Sequence, residues 1–126
     1  MTVQLNHTIV HVRDKDVSAR FYTEILGLPE PQRYGPFAVV TLPNDVSLDF
    51  LDERQDIAPQ HYAFLVDEAE FDDIFARIAQ RGLDHWADPG HRQAGRVNHN
   101  DGGRGVYWAD PDGHNLEIIT RPYGSG

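Results

Sequence analysis

Histidine and carboxylate side chains stand at matching places in the two halves of this chain, and together they are the residue types that hold divalent metal ions. Laid on one another at an offset of 54 residues, the halves align Asn6-His7 with Gln60-His61 and Phe21 with Phe75. Past a longer insertion in the second half, Leu48-Asp49-Phe50 meets Leu116-Glu117-Ile118. A lone strand histidine is ordinarily structural, and a lone glutamate on a hairpin ordinarily faces water. Four such residues at equivalent positions of a duplicated module reverse that preference. If the two modules pair their sheets around a common cleft, His7, Asp49, His61 and Glu117 face into it. Imidazole with carboxylate suits Fe, Mn, Zn, Ni or Co, and two histidines with one carboxylate leave positions open for a substrate.

The elements that must carry these residues can be read in order. LNHTIVHV, residues 5–12, alternates with His7, Ile9 and His11 on one face and Val10 and Val12 on the other, the period of a strand. A helix is expected over about 16–27, capped by Asp16 or Ser18 and stopped at Gly27. Strands follow at about 37–42 and 46–51, joined by the turn cluster Pro43-Asn44-Asp45. The second half repeats the order, with a strand over 61–66 and a helix over 68–81 carrying Phe71, Ile74, Phe75 and Ile78 on one side. Residues 84–104 are polar and glycine-rich and read as a long loop with a short strand near 96–98. GVYWADPDGHNLEIIT, residues 105–120, is a hairpin turning at Asp110-Pro111-Asp112-Gly113, with Glu117 interrupting its second strand. His114, beside that turn, is expected at the surface. Trp86 and Trp108 are expected to pack.

Composition narrows the function classes. One compact domain suits 126 residues, and a net charge of −9 disfavours binding to nucleic acid or anionic membranes. Without cysteine, thiolate metal sites and a cysteine nucleophile are excluded. No signal-like N-terminus or membrane-length apolar run is present, so a cytoplasmic protein with a small-molecule substrate is expected. Arg92, Arg96 and Arg104 in the loop could clamp an anionic substrate.

LNHTIVHV, SARFYTEILGL, QHYAFLV and the closing GVYWADPDGHNLEII together resemble the vicinal oxygen chelate superfamily of glyoxalases, extradiol dioxygenases, fosfomycin-thiol transferases and bleomycin-resistance proteins. The resemblance covers essentially the whole chain. It implies an α+β fold in which two paired βαβββ modules, about 1–55 and 56–126, form a cup-shaped mixed sheet with helices on the outer face. It puts the metal ligands at His7, His61 and Glu117, which counts against the metal-free binding branch. Asp49 falls where glyoxalase I has a fourth ligand and is either that or a pocket-lining residue. As in extradiol dioxygenases, an Asn-Asp pair, Asn100-Asp101, precedes the last hairpin and a tyrosine, Tyr107, stands ten residues before the glutamate. His99 lies near the place of that branch's catalytic histidine. The resemblance therefore implies one divalent metal ion per site, Fe2+ favoured over Mn2+, Zn2+, Ni2+ or Co2+. It also implies Tyr107 and His99 as catalytic groups and Asp49, Asn100, Asp101 and Arg104 near the substrate. The expected activity is extradiol-type ring cleavage. A glyoxalase-like lyase or thiol transferase is the alternative, and a metal-free drug- or metabolite-binding protein the next. Ile9, Val97, Asp101 and Gly105 replace polar residues that fosfomycin-thiol transferases use for substrate, which argues against fosfomycin itself.

The connection DERQDIAPQ, residues 52–60, can span at most about 30 Å, enough to close both modules within one chain or to exchange them with a twin. Small members of the resembled superfamily often exchange modules. A homodimer with sites shared between chains is the expectation.

Overall fold

In the computed structural model, which describes residues 2–126, the chain divides into two compact units, one ending at Ala58 and the other beginning at Pro59. In the first, strand β1 (His7–Val12) leads into helix α1 (Lys15–Leu26), followed by β2 (Gln32–Tyr34), β3 (Phe37–Thr41) and β4 (Ser47–Asp52). The sheet order is β1-β4-β3-β2, with β1 parallel to β4 and the remaining pairs antiparallel. Alternation along β1 is as expected: Val10 and Val12 are fully buried, whereas Ile9 is 42% exposed. Ala19, Tyr22 and Ile25 of α1 are buried with Val40, Leu48 and Phe50 of the sheet, and the Tyr22 and Phe50 rings meet edge to face at 4.7 Å. The helix begins one residue earlier than expected. Asp14, rather than Asp16 or Ser18, is its N-cap, accepting from the Asp16 and Val17 amides, because only its extended backbone leaves the carboxylate below those N–H groups. Gly27 ends it in the left-handed region at φ 70°, as the sequence implies. Strand β2 has no sequence signature: its three residues are polar or exposed and are held by edge pairing to β3.

The second unit repeats the plan with β5 (His61–Leu65), α2 (Glu68–Gln80), β6 (Gly105–Ala109) and β7 (Asn115–Ile119), in the order β5-β7-β6. Here β5 is parallel to β7, as β1 is to β4. Asp67 caps α2 in a reciprocal capping box with Glu70. The fourth strand of the first unit has no full counterpart. The polar 84–104 segment makes only isolated bridges, Trp86 to Ala94 and Tyr107 and Asn98 to Gly105, with a 3-10 turn at Asn100–Gly102. Both sheets mix parallel and antiparallel pairing beside helices, which makes the fold α+β. Among the described residues no helix is long and apolar enough to cross a membrane.

Register explains why the repeat was readable. Ile9 stands opposite Asp49 across β1 and β4, and Ala63 opposite Glu117 across β5 and β7, so each carboxylate sits two residues along from the histidine that opens the neighbouring strand. Side chains two apart share a face, so this register alone sets His61 and Glu117 on one face of their sheet, and His7 and Asp49 on one face of theirs.

Candidate metal centre and active site

His61 and Glu117 meet: Nε2 of the imidazole lies 3.1 Å from Oε1 of the carboxylate. Glu117 is completely buried, so the reading of it as a water-facing hairpin residue fails. The other ring nitrogen, Nδ1, is 2.9 Å from the main-chain oxygen of Asn115. A carbonyl oxygen only accepts, so Nδ1 donates to it and Nε2 is left facing the carboxylate oxygen. Such an approach is stable when a proton or a cation lies between the two atoms. Two atoms bound at right angles to one ion at about 2.1 Å lie roughly 3 Å apart, so the observed separation suits neighbouring ligands of a divalent ion. A backbone carbonyl on the far nitrogen is also the usual support for a metal-binding histidine.

The second carboxylate oxygen, Oε2, accepts a hydrogen bond from the hydroxyl of Tyr123, close to the C-terminus. Tyr107, 4% exposed and with its ring stacked at 5.9 Å on that of His61, has its hydroxyl 2.9 Å from the Tyr123 hydroxyl. A phenol has one proton, and that of Tyr123 goes to Glu117, so Tyr107 donates to Tyr123. Burial, then the hydrogen bonds with Tyr123 and the Glu117 carboxylate, push the Tyr107 phenol far above its ordinary range. Burial and the bond to Glu117 push Tyr123 the same way. Both are neutral phenols near pH 7 and act as hydrogen-bond donors.

Around this line the structure adds support that no sequence pattern marked. Asn115 accepts at its side-chain oxygen from His91 at 2.8 Å, and the His91 ring stacks on Trp86 with centroids 3.7 Å apart. Trp86 is in turn bridged to Tyr107. The 84–104 segment is thus tied to the strand holding Glu117 through its own aromatic pair. His114, expected at the surface, is fully buried: its Nδ1 accepts the Gln60 amide at 2.9 Å and its own amide donates to Asp110 at 2.8 Å. Tight turning at Asp110-Pro111-Asp112-Gly113 folds it inward, where it anchors the chain entering β5. Trp108, also fully buried, packs as expected.

In the first unit, His7 keeps Nδ1 on the Asn6 side-chain oxygen at 2.8 Å and is exposed on the open face of β1. Asp49 accepts the Ser47 hydroxyl at 2.8 Å. Both line a cleft of about 530 Å³ whose other walls include Ile9, Phe37 and Val39. Among the described residues no three histidine, aspartate or glutamate side chains gather to hold an ion.

Of the residues expected near substrate, Asp101 accepts the Gly124 amide at 3.1 Å, and Asn100 donates its amide to Asn98 at 3.2 Å. Arg104 is paired with Glu68 at 2.8 Å and Asp72 at 2.9 Å, and its guanidinium lies 4.3 Å from the centre of the Phe71 ring, so it clamps α2. His99 is exposed, at the start of the 3-10 turn. Sequence reasoning missed Tyr123; its only signal was an aromatic residue alone in a Pro-Gly-Ser tail.

Residues 4–118 match the Glyoxalase/Bleomycin resistance protein/Dioxygenase superfamily, and the chain belongs to it. Among solved structures it is similar to Oxidase ChaP-H1, at 67% identity and a TM-score of 0.96 over 98% of this chain and 99% of that one. Oxidase ChaP-H2 is similar at 66% identity and a TM-score of 0.98, over 100% and 99% of the two chains. A glutathione transferase, FosA of Serratia marcescens, is 34% identical over 94% of this chain and 81% of that protein.

Proposed function

We propose that the two modules act as halves of one vicinal oxygen chelate domain, and that the protein is a divalent-metal-dependent oxidising enzyme, of the ring-cleaving type, acting on a small substrate with adjacent oxygens. The observation that carries this reading is the buried Glu117 carboxylate facing Nε2 of His61 at 3.1 Å. His61, Glu117 and His7 are the proposed ligands of one ion per site. The donor set of two imidazoles and a carboxylate fits ferrous iron, with Mn2+, Zn2+, Ni2+ or Co2+ able to compete. When bound, such an ion would chelate the vicinal oxygens of the substrate and bring dioxygen to the same centre.

The chain's own groups then have separate tasks. Tyr107, a neutral phenol beside His61 whose own proton goes to Tyr123, accepts a hydrogen bond from a substrate hydroxyl at its oxygen. Asp49 accepts from a substrate hydroxyl in the apolar cleft, whose Ile9, Phe37 and Val39 walls suit a flat ring and exclude water. His99 is the candidate acid or base at the rim. Support for oxidation comes from the two oxidases at 66–67% identity. Thiol transfer is the second reading, favoured by the resemblance to FosA.

We also propose that two copies form a homodimer, His7 of one joining His61 and Glu117 of the other. Val3, Leu5 and Leu65 are 100%, 68% and 61% exposed, apolar surface that a second copy would cover. Closed two-fold symmetry would give two identical sites.

Reconstitution with ferrous iron without oxygen, then addition of oxygen and a panel of catechols, tests the activity. Oxygen uptake with a new absorbance from a yellow ring-opened product is the expected result. No uptake with any diol, together with turnover of a glutathione adduct or of glutathione with an electrophile, would replace oxidation with thiol chemistry.

A further inference from the structure

We propose that Tyr123, carried on the C-terminal tail, is the positioning residue that restricts Glu117 to one metal-facing oxygen. The inference rests on the metal reading of His61 and Glu117. It begins with an asymmetry in the Glu117 carboxylate. Oε1 faces His61, while Oε2 is taken by the Tyr123 hydroxyl, itself receiving a proton from Tyr107. A carboxylate can bind an ion through one oxygen or two. With Oε2 committed to a phenol, Glu117 offers one, and a coordination position that a second oxygen would occupy stays open for substrate.

The tail is built to hold that phenol. Tyr123 is 58% exposed, yet its hydroxyl reaches a carboxylate with no exposure at all. The reach is fixed on both sides of the tyrosine. The Gly124 amide donates to Asp101 at 3.1 Å, and the Arg121 guanidinium donates to the Ser125 carbonyl at 2.7 Å, closing 121–125 into a compact turn. Asp101 can serve as the anchor because it adopts φ 57°, a left-handed conformation that Asp tolerates better than most residues. Asp101 thus acts on the site through the tail, whose tyrosine it holds in place. Tyr123 lies beyond residues 4–118, the span of the superfamily match.

The test uses the metal-free full-length protein and Co2+ as the probe, comparing wild type, Tyr123→Phe and a chain ending at Pro122. The phenylalanine variant keeps the ring and loses only the hydroxyl. It is expected to bind Co2+ about 10- to 100-fold more weakly, as loss of a hydrogen bond to a metal ligand ordinarily does. Its bound Co2+ is expected to show an altered visible absorption spectrum, and its metal-free melting temperature to stay as in wild type. The shortened chain should reproduce both changes. Unchanged affinity and spectrum in Tyr123→Phe, with wild type binding Co2+ normally, would overturn the role of Tyr123 alone. Weakening in the shortened chain but not in Tyr123→Phe would overturn it too, by assigning the effect to cover by the tail. Failure of wild type to bind Co2+ would overturn the metal centre itself, and the role of Tyr123 with it.

Discussion

The two modules share a register and differ in what each does with its carboxylate. In the first, Asp49 is short, lies on an open cleft wall and accepts a hydroxyl from Ser47, two residues away on its own strand. In the second, Glu117 is longer by one methylene, fully buried, and reaches His61 on the neighbouring strand. The histidines differ in the same sense. His7 rests on the adjacent Asn6 side chain, whereas His61 is held by a backbone carbonyl that cannot rotate away. A duplicated scaffold therefore presents two equivalent positions, and burial with fixed hydrogen bonding leaves one pair the more preorganised. The other is left as an adaptable wall with a histidine at its edge.

The largest expected effect separates the two carboxylates. Glu117→Ala should weaken divalent-metal binding by more than about 100-fold, exceeding the loss expected for a supporting residue. Asp49→Ala should change it less than about threefold, because Asp49 already has a partner in Ser47. Titration with Co2+ or Mn2+ distinguishes them, and equal losses would make Asp49 a fourth ligand.

A sharper experiment asks which modules work together. His7→Ala and Glu117→Ala are each expected to be inactive, but mixed under conditions that let subunits exchange they should regain metal binding. If a site joins the first module of one chain to the second module of another, each mixed dimer holds one site with both lesions and one intact. Absence of recovery after confirmed exchange would place each site within one chain.

The smallest effect is electrostatic and confined to the first module. At the end of β4, Asp52 accepts the Lys15 amide at 2.8 Å and pairs with the Lys15 ammonium at 3.1 Å. That amide first, and then the ammonium, hold its carboxyl below the ordinary 3.8. A carboxyl with a depressed folded-state value contributes stability above about pH 4 and loses it as pH falls below that. The matching place in the second module is Thr120, which is uncharged. Asp52→Asn should therefore cost about 0.5 kcal/mol at pH 7, the scale of an exposed pair, and almost nothing near pH 3. Urea unfolding at both pH values measures this, and an equal cost at both would refute an ionic origin.

Much of this was legible beforehand, for identifiable reasons. Strand face follows a two-residue period and helix ends follow local capping chemistry, so the place of His61 and Glu117 on one sheet face and the stop at Gly27 could be read directly. The repeat supplied the long-range pairing that single strands do not disclose. Strand β2 escaped because three polar edge residues have no pattern, and the N-cap was misplaced by two residues because Asp14 and Asp16 are equally good caps by type. His114 was misjudged because a turn residue is ordinarily wet, while here the turn folds it under the chain entering β5.

The sequence by itself determined the duplicated α+β plan, the candidate ligand types and their registered positions, because these follow from residue type and short-range periodicity. Only the tertiary structure decided which groups those side chains satisfy. It committed Arg104 to Glu68 and Asp72, Asp101 to the tail, and Tyr123 to Glu117. It also put the Asn115 carbonyl behind His61, a contact with no residue-type signature because every backbone carries the same oxygen. Hydrogen-bond partners are chosen by distance and direction in space, and those are set only when strands, the 84–104 segment and the tail have packed together.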